Sequence, residues 1–177
     1  MLNYKNIIID ELEKMGMTLS IAESVTGGMI SSALVDIEGA SKVFKGGVVS
    51  YTAEAKNKLL SVRTETIEKY GEVSQQVAKE MAIGIKNKLN TDFSIAVTGY
   101  ATPIKDNAPS SRISVNEPQK CLVFFCIIAV DVAYEFEMLN PDEGRTNNRI
   151  TIASKVIEEF FKLIYKLKGN IKNNISQ

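Results

Sequence analysis

Apolar residues recur along this chain with two different periods, and the changes of period predict where its helices and strands lie. A spacing of three to four residues, as in Ile8, Leu12 and Met15, predicts amphipathic helices. Short apolar runs such as DFSIAVT at 92–98 predict strands. The predicted helices are 4–15, a segment around 29–34, 53–60, 64–70, 75–89 and a last helix that begins near 145. The predicted strands are 17–22, 46–51, 92–98, 120–132 and 134–139.

This order of elements favours an α/β fold, a three-layer α/β/α sandwich around a mixed β-sheet. Two-sided apolarity places the strand at 120–132 inside the sheet, and 134–139 alternates as a neighbouring antiparallel strand. The 177 residues suit a single domain over residues 1–169, with a polar tail at 170–177. The polar segment Ile104–Gln119 is expected to form a long loop or flap.

Composition narrows the classes of function. The chain has 21 basic and 21 acidic residues, and this zero net charge argues against a nucleic-acid binder. No apolar run approaches the ~20 residues of a membrane helix, so no membrane association is expected. Cys121 and Cys126 lie five residues apart on one predicted strand and point to opposite faces. An intrachain disulfide is therefore not expected, and a cytoplasmic location is the simplest prediction.

The chain contains no histidine. This absence removes the Ser-His-Asp triad, the Cys-His dyad and the usual catalytic zinc sites. Any nucleophilic or acid–base chemistry near neutral pH must come from Lys, Tyr, Asp or Glu.

Three loops that carry hydroxyl groups follow predicted strands, at 24–28, 51–56 and 98–103. Ligands of α/β sheets bind beyond the carboxyl ends of strands, so these loops are candidates for one site. The first loop leaves two interpretations open. Its glycines and the helix after it suit an anion site, whereas Ser24 or Thr26 can instead cap that helix. The pattern alone favours the cap.

A set of Ser41, Tyr51 and Lys56 is a candidate for hydrolysis without histidine. A partly desolvated lysine can accept a proton from serine, and a tyrosine beside the lysine can relay one. Backbone N–H groups at a glycine turn can stabilise the developing oxyanion. These residue types are common, however, and Lys56 suits a solvated helix position equally well. Spacing alone therefore favours the non-catalytic interpretation.

Four segments in order resemble the CinA C-terminal domain family, which is also known as the nicotinamide-nucleotide amidase or NMN deamidase family. The family patterns are AESCTGG, G-S-S-x-x-F-x-x-G-x-V-T-Y-S-N-x-A-K, G-A-V-S and T-G-I-A-G-P. This chain reads AESVTGG at 22–28, GASKVFKGGVVSYTAEAK at 39–56, GEVSQQVAKEMAIG at 71–84 and DFSIAVTGYATP at 92–103. A weaker match at Gly144 and Arg145 corresponds to the family's G-D-R turn before the last helix.

The resemblance implies an α/β/α fold and hydrolysis of the carboxamide of nicotinamide mononucleotide, a step of pyridine-nucleotide recycling. It implies a small-molecule nucleotide substrate, no metal, no organic cofactor and a homo-oligomer. The catalytic positions it implies are Ser41, Tyr51 and Lys56. The substrate-binding positions it implies are Ser24, Thr26, Gly27, Gly28, Thr98, Gly99 and Arg145, the last as a phosphate contact.

The chain also departs from the family patterns. Val25 replaces the cysteine of the first motif, Ala40 replaces the first serine of the second, and Thr102 replaces a glycine of the last. The segment from Thr102 to Lys120 is rewritten. Two alternatives therefore accompany the amidase hypothesis. One is a catalytically silent homologue that binds a nucleotide or a protein partner, and the other is an amidase or esterase for a different small substrate.

Overall fold

The computed structural model describes residues 4–103 and 120–175 of the chain. Its helices are α1 (Tyr4–Met15), α2 (Met29–Val35), α3 (Ala53–Leu60), α4 (Thr64–Tyr70), α5 (Gln75–Leu89) and α6 (Arg145–Ile175). Its strands are β1 (Leu19–Glu23), β2 (Phe44–Val49), β3 (Phe93–Gly99), β4 (Lys120–Ala129) and β5 (Val132–Pro141). A short 3₁₀ helix, Ala40–Lys42, precedes β2.

The five strands form one mixed sheet in the order β2-β1-β3-β4-β5. β1 pairs in parallel with both β2 and β3, whereas β4 is antiparallel to β3 and to β5. The carboxyl ends of β1, β2 and β3 therefore meet at the same edge, where the three predicted loops emerge.

Helices cover both faces of the sheet. A row of isoleucines, Ile21, Ile95 and Ile127, lies in register across β1, β3 and β4 and packs in the cluster formed with α1, α2 and α6. The next row, Ala22, Ala96 and Cys126, faces α3 and α5. The predicted three-layer α/β/α fold is confirmed.

Local chemistry sets the ends of α3 and α5. Thr52 Oγ1 accepts a hydrogen bond from Ala55 N at 3.1 Å, and Ser74 Oγ accepts one from Val77 N at 3.3 Å. The two helices cross closely, because a Cβ on Gly84 would lie only 1.9 Å from the carbonyl oxygen of Leu60. This packing fixes the position of α3 on the sheet.

Some predicted boundaries differ from the observed ones. β2 ends at Val49, before Tyr51, and α6 continues through Gly169, where the tail was expected to begin. The predicted loop at Ile104–Gln119 lies outside the described residues. Cys121 and Cys126 are both buried and free. Within the described ranges, no helix is both long and apolar enough to cross a membrane.

Candidate active site

Lys56, the fourth residue of α3, is a fully buried lysine with only 1% of its surface exposed. Its Nζ donates to Ser24 Oγ at 3.2 Å and to the main-chain oxygens of Ser50 at 3.1 Å and Tyr51 at 3.5 Å. Burial lowers the pKa of Lys56, and the carboxylate of Glu72, 3.5 Å away, acts in the opposite direction. The lysine is thus a base with a depressed pKa beside a hydroxyl group.

Ser24 stands directly after β1, at the carboxyl edge of the sheet. Its N–H donates to Val97 O of β3 at 3.0 Å, so the main chain of Ser24 continues the β1–β3 pairing. Its side chain is directed to the lysine of α3. The Ser24–Lys56 pair therefore joins the centre of the sheet to a helix on one face.

The pair lines a cavity of about 270 Å³ at the carboxyl ends of β1, β2 and β3. Six of the ten residues predicted for the site line this cavity together: Ser24, Tyr51, Lys56, Thr98, Gly99 and Arg145. Thr98 is buried, and its Oγ1 donates to the main-chain oxygen of Glu72 at 2.9 Å. Tyr100 also lines the cavity and is 40% exposed.

The phenol of Tyr51 is directed to Arg145. Nη2 of Arg145 donates to the phenolic oxygen at 2.8 Å, and the tyrosine is 56% exposed. In the part of the chain that the structure describes, Lys56 Nζ bonds the main chain of Tyr51 and not its phenol. The predicted proton relay from Lys56 through Tyr51 is therefore absent from this geometry.

Ser41 lies at the amino end of β2, at the opposite end of the parallel strands from the cavity. It is exposed in the 3₁₀ helix before β2, and its main-chain oxygen accepts a hydrogen bond from Lys45 Nζ at 3.5 Å. The six residues of β2 then carry the chain about 20 Å to the carboxyl ends of the strands. The structure thus separates Ser41 from Lys56 and Tyr51, contrary to the prediction that the three converge.

The first glycine loop surrounds a buried carboxylate. Glu23, at the end of β1, accepts five hydrogen bonds, including Thr26 Oγ1 at 2.6 Å, Gly28 N at 2.9 Å and Ser31 N at 2.8 Å. This carboxylate occupies the N-terminus of α2, where the sequence suggested either an anion site or a cap from Ser24 or Thr26. The predicted cap is wrong, because the N–H groups of this helix end donate to Glu23, so the anion there is a side chain of the protein itself.

Thr26, Gly27 and Gly28 consequently lie around Glu23 and Arg149 and are not among the residues that line the cavity. Arg149 Nε donates to Val25 O at 3.1 Å, and its Nη2 donates to Thr26 O at 2.9 Å. The three residues support the loop that begins with Ser24.

Sequence reasoning missed three supporting side chains: Arg149, Asn148 and Glu72. Asn148 is buried, and its Nδ2 donates to Ala101 O at 3.0 Å and to Asp142 Oδ1 at 2.7 Å, which ties the third loop to the start of α6. These contacts span many residues of sequence. The pair of polar residues one turn into α6 was the only available signal for Asn148 and Arg149.

A serine beside a buried lysine, with an arginine across the same cavity, suits nucleophilic attack on a small anionic substrate. Among the described residues, no three Cys, Asp or Glu side chains are grouped so that they could hold a metal ion.

Comparison with known proteins identifies the family. The sequence profile described as the CinA C-terminal domain matches residues 2–164. The chain belongs to this family. Among its relatives, Protein MG115 of Mycoplasma genitalium is 37% identical over 164 residues, covering 93% of this chain and 99% of that protein.

Solved CinA structures share the fold. The competence/damage inducible protein CihA from Agrobacterium tumefaciens is 35% identical, with a TM-score of 0.78 and coverage of 90% of this chain and 93% of that one. A CinA superfamily protein from Escherichia coli is 29% identical, with a TM-score of 0.80 and coverage of 91% and 88%.

Some CinA relatives match a shorter part of the chain more closely. A putative competence-damage inducible protein from Clostridium kluyveri is 58% identical over 88 residues, which is 50% of this chain and 22% of that protein. Similarity to the CinA family is therefore uneven along the sequence.

Proposed function

We propose that the protein is an amidohydrolase that cleaves the carboxamide of nicotinamide mononucleotide to nicotinate mononucleotide and ammonia. The observation that supports it best is the 3.2 Å contact between the Lys56 amine and the Ser24 hydroxyl in a cavity. We assign Ser24 as the nucleophile, because Ser41 lies at the amino end of β2, away from the cavity.

Lys56 acts as the base in its neutral form, which burial favours. As Ser24 Oγ bonds to the carboxamide carbon, the serine proton moves to Nζ of Lys56. The lysine returns that proton to the amide nitrogen as the C–N bond breaks, and ammonia leaves. Water then attacks the acyl-serine, Lys56 takes a proton from it, and Ser24 Oγ recovers a proton as the acid is released.

The main chain after Ser24 supplies the oxyanion contacts in this proposal. Backbone N–H groups at a turn from strand to helix are suited to a developing negative charge. Val25 and Thr26 follow the nucleophile, and Arg149 holds both of their carbonyl oxygens. Val25 O shares a planar peptide unit with the Thr26 N–H, so Arg149 orients that donor. The Val25 N–H shares its peptide unit with Ser24 O, which accepts a hydrogen bond from Gly27 N at 3.1 Å.

Arg145 binds the phosphate of the nucleotide in this proposal. A guanidinium grips phosphate through two hydrogen bonds, and Arg145 lines the same cavity as Ser24. Tyr51 Oη accepts a hydrogen bond from Arg145 Nη2 and so orients the guanidinium. The serine end and the arginine end of the cavity then bind opposite ends of one substrate.

A binding-only homologue is the second candidate, and the ion pair between Lys56 and Glu72 favours it, because it stabilises the protonated lysine. The test is ammonia release from nicotinamide mononucleotide by wild-type protein, Ser24→Ala and Ser41→Ala. We expect Ser24→Ala to lose at least about 10³-fold in kcat, and Ser41→Ala to retain wild-type activity. Folded wild-type protein that binds the nucleotide in calorimetry without turnover would establish the binding-only candidate.

A further inference from the structure

Glu72 is the acidic side chain that contacts the candidate base. Its Oε2 lies 3.5 Å from Lys56 Nζ, and it lines the same cavity. The two side chains differ in environment, because Lys56 is 1% exposed and Glu72 is 47% exposed. The buried amine thus meets solvent-accessible negative charge at the wall of the cavity.

The main chain around Glu72 is held in place. Thr98 Oγ1 at the end of β3 donates to the carbonyl oxygen of Glu72 at 2.9 Å, and Ser74 Oγ donates to that of Gly71 at 3.0 Å. Thr98 is buried, and Ser74 caps α5. The fold therefore presents the carboxylate to Lys56 from a restrained segment between α4 and α5.

Other charged groups on the elements around Lys56 have partners of their own. Arg145 donates to the phenol of Tyr51. Glu23 on β1 is bound by the N-terminus of α2. Glu80 on α5 pairs with Arg63. The phenol of Tyr100 also lines the cavity. In the described ranges, Glu72 is thus the carboxylate that bonds Lys56.

We propose that Glu72 is a positioning residue that acts through Lys56: its carboxylate contacts the amine that bonds Ser24 and sets the pH range in which the lysine serves as a base. This inference rests on the proposed function for its kinetic part only. The ion pair itself exists whether or not the protein turns over a substrate.

The carboxylate stabilises the protonated amine, so its removal makes the proton of Lys56 easier to release. Glu72→Gln should displace the acid limb of the kcat/KM profile to lower pH. Within the acid limb, kcat/KM of the variant should be about two- to fivefold higher than that of wild type, as expected for a solvent-screened ion pair. Glu72→Asp keeps the charge and should restore the wild-type profile in part.

The direct measurement is an NMR titration of the lysine side chains in wild type, Glu72→Gln and Glu72→Asp, with Lys56→Met to assign the Lys56 signal. We expect the Lys56 midpoint to fall in Glu72→Gln. Glu54→Gln is the matched control, because Glu54 pairs with Lys58 on the same helix, with both side chains exposed. It should leave the Lys56 midpoint unchanged.

The outcomes separate this inference from the proposed function. An unchanged Lys56 midpoint in Glu72→Gln overturns the role of Glu72, even if the wild type is an active amidase. A midpoint that falls while no variant turns over the nucleotide supports the ion pair and counts against the amidase. A pH profile that keeps its limb in Glu72→Gln contradicts the kinetic part.

Discussion

The guanidinium of Arg149 occupies the space that a side chain on Gly27 would need. A Cβ on Gly27 would lie 2.6 Å from Arg149 Nη2, while that arginine holds the carbonyl oxygens of Val25 and Thr26. Gly27 also has a φ of 60°, which disfavours other residues. The absence of a side chain at Gly27 thus allows α6 to brace the loop that carries Ser24.

Gly27→Ala should therefore impair catalysis more than it impairs folding. The added methyl group must displace Arg149 or the loop, and a shift of about 1 Å at a nucleophile can cost about 10²-fold in rate. Gly16→Ala is the matched control, because Gly16 has a φ of 64° and its added methyl group would meet no atom within 4 Å. Both variants should lose similar stability in urea titrations. Equal kcat values for the two variants would contradict a bracing role for Arg149.

Arg145→Ala should weaken binding of the phosphate and leave the chemistry largely intact. Loss of charge-assisted hydrogen bonds worth about 1.5–3 kcal/mol should raise KM for nicotinamide mononucleotide by about 10- to 150-fold. The riboside, which lacks the phosphate, should show no such change. Arg63→Ala is the control, since Arg63 pairs with Glu80 on another surface. A similar loss for the nucleotide and the riboside would exclude the phosphate role.

The sequence predicted those features that depend on local chemistry. Caps at Thr52 and Ser74 and the core period of α5 follow from neighbouring residues, and the structure confirms them. The predicted contact between Ser41 and Lys56 depended instead on how separate segments pack together. Ser41 is only 15 positions before Lys56, whereas Ser24 is 32 positions away. Strand β2 lies between Ser41 and Lys56 and places them at opposite ends of the sheet. Because β1 runs parallel to β2, Ser24 at the end of β1 lies beside Lys56.

The supporting side chains of the site could not be predicted because their contacts join segments that are distant in the sequence. Arg149 bonds Val25 across 124 positions, and Glu72 reaches Lys56 from the connection between α4 and α5. Glu23 was hidden for another reason. A glutamate at the end of a buried strand gives no periodic signal that it will turn and cap the helix that follows.

Lys56 should make the free energy of unfolding depend on pH in the alkaline range. Burial lowers its pKa from the ordinary 10.5, so the unfolded chain holds this proton more tightly than the folded one. The resulting cost to stability is fully present below the folded-state pKa and disappears as pH rises to the unfolded value. Relative to Lys56→Met, the wild-type free energy of unfolding should therefore rise with pH through this window. Urea titrations that give parallel pH profiles for both proteins would contradict a depressed pKa.

Glu11 should have the reverse dependence at acid pH. It is nearly buried on α1 and bonds Lys168 of α6 and Lys14, and the hydrogen bond from Lys168 is the largest cause of a lowered pKa. A depressed carboxyl pKa stabilises the fold above the unfolded value of about 4.5, and this stability is lost as pH falls through the folded-state pKa.

Glu11→Gln should thus lower the free energy of unfolding by about 1–2 kcal/mol at pH 7, because it leaves a partly buried ammonium without its partner. The difference from wild type should shrink as pH falls through the lowered folded-state pKa of Glu11, where the wild-type carboxyl also becomes neutral. Glu13→Gln is the control on the same helix, since Glu13 pairs with Lys42 and both side chains are exposed. It should have a smaller effect at pH 7. Equal losses for the two variants would show that the contact between α1 and α6 does not depend on the Glu11 charge.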